Sequence, residues 1–540
     1  MSRFRYPVDT DQFQRIREDG KVYVDKTSMI YDLVNVKKYQ YVFLARPRRF
    51  GKSLLCNTFK AYFQGQKELF EGLKIMELEK EWKTYPVLHF DMSDLKNYSV
   101  LEAKSNLERQ LRSYEAIYGN DPESVTVGAR FCDLIHNASK KTGEKVVVII
   151  DEYDAPVMRL LYEKEQLEDM RTFLRGFYQV VKKEGAYLKF VFITGVTKFS
   201  QMSIFSELNN LKQVSMFDEY SGLCGITQKE LDTVLRPCVE DYAEALHITT
   251  DEAYALLKKN YDGYHFSKNS KDVYAPFSLL RALNDRDTNH YWFDSGTTRG
   301  LVEHLKRYSA FNPLDFDGTE LSLDAFNAPC EKARTPIPLL YQSGYLTIQS
   351  YDRKLDTFTL HFPNHEVRQG MIRSMTSYLM DADSLECDTT IVSMTRALLN
   401  GDLSTALTAL RSYSAGLPYD IITKKEWMMQ KKREAFYKML MYVVFSLLNS
   451  KIDTEVKSIL GRADVVIQTQ TDVFVLELKV DDSVEHALAQ IDDKGYAIPY
   501  AANGRKLTKC GVRISSEARN ITHWRTVDAE GRVTDEQNFE

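Results

Sequence analysis

Two groups of residues, far apart in the chain, have types and spacings suited to chemistry at phosphate. The first is Arg46-Pro47-Arg48-Arg49-Phe50-Gly51-Lys52-Ser53, answered well downstream by Asp151-Glu152. Backbone N–H groups from Arg49 to Leu54 would cradle the phosphates of a nucleotide at a helix start, Lys52 would reach the outer phosphates, and the Ser53 hydroxyl would sit on Mg²⁺. Asp151 would hold that Mg²⁺ through water, and Glu152 would orient or activate the water that attacks the γ-phosphate. The second group is Asp464, Glu477 and Lys479, spaced Asp-x12-Glu-x-Lys. Two carboxylates and a backbone carbonyl suit Mg²⁺ or Mn²⁺, and the lysine can orient a water or stabilise charge on phosphoryl oxygens.

The elements that must position the first group are buried parallel strands. Tyr41 to Ala45 is an apolar run that delivers the chain to the loop, and a helix is expected from Ser53. One position departs from G-x-x-x-x-G-K-[ST]: its first glycine is Arg46 here, so the tight turn has to be made otherwise. Val146 to Ile150 is a continuous apolar strand ending on the two acids. Two further strands are predicted, Pro86 to Phe90 ending at Asp91, and Phe190 to Ile193 ending at Thr194. At that last strand tip Thr194 would face the γ-phosphate. Met29 to Val34 reads as a short amphipathic helix, and Leu167, Met170, Phe173, Leu174 and Phe177 fall at helical spacing. Arg48, Arg49, Arg171 and Arg175 are the candidates for a transition-state arginine, the last two by reaching a neighbouring subunit.

For the second group, a helix is expected from Lys432 to Leu448, then a strand with Glu455, a strand through Asp464-Val465-Val466-Ile467, and a strand from Val473 to Val480. Alternation puts Phe474, Leu476, Leu478 and Val480 on one face and Glu477 and Lys479 on the other. Between the two groups the chain turns helical from Ile226, breaks at Tyr261 to Phe266, and from Pro336 offers a helix and two strands, Tyr345 to Gln349 and Thr357 to His361. These last suggest a winged-helix-like unit, read as a packing module in preference to a DNA reader.

The 540 residues carry a formal net charge of −5, so nucleic-acid contact has to come from local basic patches. The seven cysteines are scattered and form no C-x-x-C pair, which points to reduced thiols and away from a zinc or disulfide framework. The first residues lack the apolar core of a signal peptide, and no stretch approaches the roughly 20 apolar residues of a bilayer span. A cytoplasmic protein without membrane contact is expected.

Tyr23-Val24-Asp25-Lys26-Thr27, the Arg46 to Ser53 loop, Asp151-Glu152-Tyr153-Asp154, Phe192 to Val196 and Ser203 to Asn210 together resemble the bacterial AAA-ATPase-like family. Tyr261 to Phe266 resembles a further motif of that family. The resemblance implies that the Arg-Pro-Arg-Arg loop is a family trait, and that a PD-(D/E)XK nuclease-like domain follows at the C-terminus. Asp464, Glu477 and Lys479 stand at the motif positions of that domain, Glu434 matches its helix acid, and Gln490 lies on the following helix where many members carry glutamine. Ala463 replaces the usual proline.

The fold expected is therefore α/β throughout. A P-loop ASCE or AAA-like parallel-sheet domain (1–225) precedes a helical lid and winged-helix-like region (226–380), a helical connector (381–425) and a restriction-endonuclease-like domain (426–540). The function expected is ATP hydrolysis with Mg²⁺ in the first domain, gating metal-dependent cleavage of nucleic acid, DNA before RNA, in the last. The competing class is an ATP-dependent switch whose nuclease fold binds nucleic acid or protein without cutting. Homo-oligomerisation is left open.

Overall fold

Parallel strands joined by helical crossovers are covered on both faces and therefore read as unbroken apolar runs, and the strands of the first sheet form where such runs lie. The computed structural model describes residues 4–95, 99–158, 160, 163–197, 211–292, 305, 317–328, 330, 333–380, 384–415, 464–501 and 504–539. Strands β1 (Tyr41–Ala45), β2 (Val87–Asp91), β3 (Val146–Asp151), β4 (Leu188–Gly195) and β5 (Lys212–Gln213) form one sheet in the order β2-β3-β4-β1-β5. All of its pairings are parallel. Every residue of β3 is buried, and each Val or Ile so covered contributes about 1.5–3 kcal/mol. Strand β4 separates the loop-bearing β1 from the acid-bearing β3. Their carboxyl ends nevertheless lie at the same edge of the sheet, because Ala45 registers with Gly195 and Ile150 with Ile193 on β4.

Helix α1 (Lys52–Phe63) follows the loop and begins one residue earlier than expected. The predicted helix at Met29 to Val34 is an α-helix over Thr27–Tyr31 that passes into a π-helical turn over Asp32–Val36. Helix α2 (Val100–Tyr118) starts in a Ser99/Glu102 capping box, α3 (Val127–Thr142) is capped by Thr126, and α4 (Lys164–Lys183) buries the Leu167, Met170, Leu174 and Phe177 stripe. Between β2, α3 and α4, Phe131 stacks on Phe177 at 4.5 Å and Phe90 meets both edge-on at 5.1 Å. Such pairs add about 0.5–1.5 kcal/mol each beyond area burial.

Past the sheet, β6 (Ile226–Thr227) pairs with β7 (Val273–Tyr274), and α5 (Gln228–Thr233), α6 (Arg236–Leu246), α7 (Thr250–Tyr261) and α8 (Pro276–Asp285) enclose a core around Leu231, Val239, Tyr242, Leu257 and Leu279. Capping boxes Thr227/Glu230 and Thr249/Glu252 set two of these starts. Glu230 also ties this core to the N-terminal segment, accepting from the Lys26 ammonium at 2.6 and 2.7 Å. The wing-like part is β8 (Thr319–Leu321), α9 (Ile337–Gln342), β9 (Thr347–Asp352) and β10 (Thr357–His361), with an antiparallel sheet in the order β8-β10-β9.

All of this falls in one unit, residues 1–295 and 315–367. A second unit comprises residues 296–314 and 368–540. In the second, α10 (Ser384–Leu399) and α11 (Leu403–Ser414) precede a sheet of β11 (Val465–Gln468), β12 (Asp472–Val480), β13 (Lys506–Ser515), β14 (Asn520–Val527) and β15 (Val533–Asn538), in chain order. Only β12 and β13 run parallel, joined through α12 (Val484–Asp493). The segment expected as a connector packs, in its described part, on this sheet: the buried Trp524 indole donates to Ser404 Oγ at 2.7 Å, and Arg411 Nε to the Ile521 carbonyl at 3.0 Å. The expected helix at Lys432 to Leu448 with Glu434, the strand with Glu455, and Ser203 to Asn210 lie outside the described residues. Among the described residues, no helix is long and apolar enough to cross a membrane.

Candidate active sites

The loop after β1 turns without its first glycine because a buried arginine and an aromatic frame hold it. Arg46 is 2% exposed. Its guanidinium donates to the carbonyls of Ala45 (2.9 Å), Ser215 (2.7 Å) and Tyr220 (3.2 Å) and lies 4.1 Å from the Phe266 ring centre. Burial pulls its pKa down to about 10. Phe50 is buried edge-on against Tyr264 (4.7 Å) and Phe266 (5.4 Å), and the Trp292 indole donates to the Arg48 carbonyl at 3.3 Å. Pro47 lies so close to Gly344 that a Cβ there would meet it at 2.6 Å. The left-handed turn falls at Arg49 (φ 66°) and Gly51 (φ 83°), and α1 starts at once. Gly51 is exposed, Ser53 and Leu54 half-buried, so the N–H groups of this helix start can meet an anion.

Lys52 is buried beneath the loop, donating to the Pro47 carbonyl at 3.2 Å and lying 3.3 Å from Glu152 Oε1. Asp151 accepts from the Ser53 hydroxyl and from the Glu152 N–H at 2.9 Å. Burial raises its pKa to about 6; the Ser53 hydrogen bond opposes this, and the Glu152 charge adds to it. Glu152 itself holds φ 51°, a left-handed conformation that costs a residue with a Cβ about 1–2 kcal/mol. Asp154 locks the turn from behind, accepting from the N–H groups of Val196 (3.2 Å) and Thr197 (2.6 Å) and from the Thr197 hydroxyl (2.6 Å). Gly195 is required there, since a Cβ would come within 2.3 Å of Asp154 Oδ1.

The structure thus brings Lys52, Ser53, Asp151 and Glu152 together and leaves two expectations apart. Thr194 is fully buried and its hydroxyl donates to the Leu44 carbonyl at 2.7 Å, so it faces the neighbouring strand and not the loop. Arg171 is buried, 7% exposed, and lies 3.4 Å from Glu168, whereas Arg175 is exposed. Arg49 lies over the Phe277 ring at 4.6 Å. Asp91 accepts from the Ser93 N–H at 2.8 Å, the ordinary cap of a turn.

In the second unit the antiparallel register of Val465 with Leu476 sets Asp464 opposite Glu477. Asp464 Oδ2 accepts from the Leu478 N–H at 2.9 Å, and the Asp464 N–H points at Glu477 Oε2 at 3.4 Å. Lys479 Nζ reaches Glu477 Oε1 at 3.5 Å and Gln490 Oε1 of α12 at 2.5 Å. Glu477 is 1% exposed, so the face that carries it is covered. Val466, Val473, Val475 and Ile491 close it at one end. Helix α12 can come this near because Gly511, registered with Glu477, has no side chain: a Cβ would sit 2.5 Å from the Val484 carbonyl. Two hard oxygen donors beside an ammonium are the right set for Mg²⁺ or Mn²⁺.

Comparison with known proteins agrees with both halves. The family model for a predicted AAA-ATPase matches residues 7–205, and that for the PD-(D/E)XK nuclease superfamily matches residues 432–524. An uncharacterized protein in the vnfD 5' region of Azotobacter chroococcum mcd 1 is 32% identical over 532 residues, spanning 96% of this chain and 98% of the relative. The chain belongs to the predicted AAA-ATPase family, with a C-terminal PD-(D/E)XK domain. In this AAA-ATPase-like protein the frame of the loop draws Tyr264 and Phe266 from the Tyr261 to Phe266 motif, whose role the sequence left open, and Trp292 and Gly344, which sequence reasoning missed because partners so distant in sequence leave no periodic signal.

Proposed function

We propose that this AAA-ATPase-like protein binds and hydrolyses ATP at the loop and cleaves nucleic-acid phosphodiester bonds at the C-terminal site, under control of the nucleotide state. The observation that carries the reading is the convergence of Asp464, Glu477, Lys479 and Gln490 in the second unit. Such a grouping answers no need of the core, since a buried carboxylate carries a desolvation cost that pairing and hydrogen bonds at best offset and that an apolar side chain would avoid.

At the first site, ATP phosphates would take the N–H groups of α1 and draw Lys52 from Glu152. Freed of its cation, Glu152 orients the attacking water. Ser53 and Asp151 would hold the Mg²⁺, which neutralises phosphate charge when bound. At the second site, Asp464 and Glu477 would hold the divalent ion, whose bound charge polarises the phosphodiester. Lys479, steadied by Gln490, orients the incoming water or balances phosphoryl charge, and Glu434 is proposed as an additional acid. DNA is the favoured substrate, and the cytoplasm the compartment in which ATP and nucleic acid meet.

The test is incubation of the purified protein with single- and double-stranded DNA and RNA, with Mg²⁺ or Mn²⁺, with and without ATP. Cleavage that is lost in Glu477→Ala supports the reading. Nucleic-acid binding without cleavage under every condition replaces it with a non-cutting, nucleotide-dependent switch.

A further inference from the structure

Away from both sites, α3 and the end of α4 bring three metal-ligand side chains together. Cys132 and His136 are four apart on α3, so they share one helix face. Glu184 is the C-cap of α4. His136 Nε2 lies 2.6 Å from Glu184 Oε2, Cys132 Sγ lies 3.3 Å from Glu184 Oε1, and one donor atom of each residue falls within 4.8 Å of the others. We propose that Cys132, His136 and Glu184 form a zinc(II) site.

The donor set is a thiolate, an imidazole and a carboxylate, all common zinc ligands, and with Zn–S about 2.3 Å and Zn–N about 2.0 Å a tetrahedral ion spans donors about 3.5 Å apart. The two negative ligands neutralise the ion. Access is present as well: the His136 side chain is 42% exposed and that of Glu184 15%, so a fourth position opens to water. The site lies at the pole of the sheet opposite the loop, since Glu184 precedes the start of β4 whereas the end of β4 registers with Ala45. Its role would be to pin the C-terminal end of α4 to α3.

A second cluster, Cys56, His89 and Asp151, also has donor atoms within 4.8 Å of one another. It is the poorer candidate because Asp151 already belongs to the nucleotide site and Cys56 is fully buried. Neither set has a C-x-x-C signature, and the third ligand of the α3 site stands 48 residues beyond His136.

The experiment is titration of the metal-free full-length protein with Zn²⁺, and separately with Co²⁺ as a spectroscopic probe. The expected result is one tight Zn²⁺ per chain beyond the sites that Mg²⁺ competes for, and a thiolate-to-cobalt charge-transfer band with the visible bands of a tetrahedral ion. Cys132→Ser and His136→Asn should each weaken Zn²⁺ binding more than about tenfold and remove or shift those bands, while circular dichroism and nucleotide binding stay unchanged. The absence of a charge-transfer band overturns the site, and so does its persistence in Cys132→Ser. Loss of the band in Cys56→Ala with retention in Cys132→Ser assigns the metal to the cluster beside Asp151 and likewise overturns it.

Discussion

Lys52 and Glu152, from the loop after β1 and the turn after β3, face each other at 3.3 Å with the lysine almost wholly buried. The ammonium expected on ATP phosphate is thus paired with the carboxylate expected to act on water. On the proposed reading, each group would keep the other from its task until phosphate arrives. Replacing Lys52 with alanine should abolish ATP hydrolysis, and by loss of a buried charge pair it should leave Glu152 uncompensated. If nuclease activity in Lys52→Ala is unchanged at every ATP concentration, the gating proposal is wrong.

Asp151 sets a pH dependence. Its pKa is raised to about 6 from an unfolded value near 3.9, so the folded chain binds more protons than the unfolded one between these values. The stability this group contributes is present at low pH and is lost as pH rises through about 6. Asp151→Asn should consequently stabilise the protein without nucleotide above pH 7 by up to the order of 2–3 kcal/mol, seen as a higher melting temperature, while abolishing Mg²⁺-dependent hydrolysis. Thermal melts at pH 5 and pH 8 check this: the gain should shrink at the lower pH.

Arg46 invites the opposite of the usual repair. Arg46→Gly restores the glycine of the standard loop, yet it removes three hydrogen bonds and a guanidinium packed on Phe266. We expect a loss of about 2–4 kcal/mol in stability and weaker ADP binding, measured by denaturant titration and calorimetry. Phe266→Ala should act in the same direction.

At the second site, Lys479→Met should eliminate cleavage without loss of DNA binding. Gln490→Ala should reduce the rate less, because the glutamine holds the lysine and not the metal. Single-turnover cleavage and filter binding separate these effects. Retained cleavage in Lys479→Met would remove the lysine from the mechanism.

Gly511→Ala tests how α12 is positioned. With the Val484 carbonyl 2.5 Å from the new Cβ, the helix must move off β13. Stability of the second unit should fall by about 1–3 kcal/mol, and Lys479 should lose its contact with Gln490. A variant that melts and cleaves as the parent does would show that this closeness is not required.

What the sequence made legible was the parallel sheet and both sets of acids, because unbroken apolar strands ending in carboxylates have few other uses. Val146 to Ile150 and Val473 to Val480 were placed within a residue of their observed bounds. Thr194 was misjudged: a strand tip predicts which residue ends the strand, but the direction of a hydroxyl depends on the neighbouring carbonyl it finds, here Leu44. Alternation placed Glu477 and Lys479 on one face but does not tell what lies over it, and Glu477 is covered. The second-unit packing of α10 and α11 left no periodic trace, and neither did the Cys132, His136 and Glu184 grouping, which exists only once α3 and α4 are side by side.

The frame around the loop has a consequence for biosynthesis. Phe266, Trp292 and Gly344 are translated long after Arg46 and Lys52, and domains emerge from the ribosome in N-to-C order. A nascent chain can thus assemble its parallel sheet while the phosphate loop still lacks the side chains that hold it. On the proposed reading, nucleotide affinity would be a late acquisition of the growing polypeptide, arriving only when the region beyond the sheet has folded back onto it.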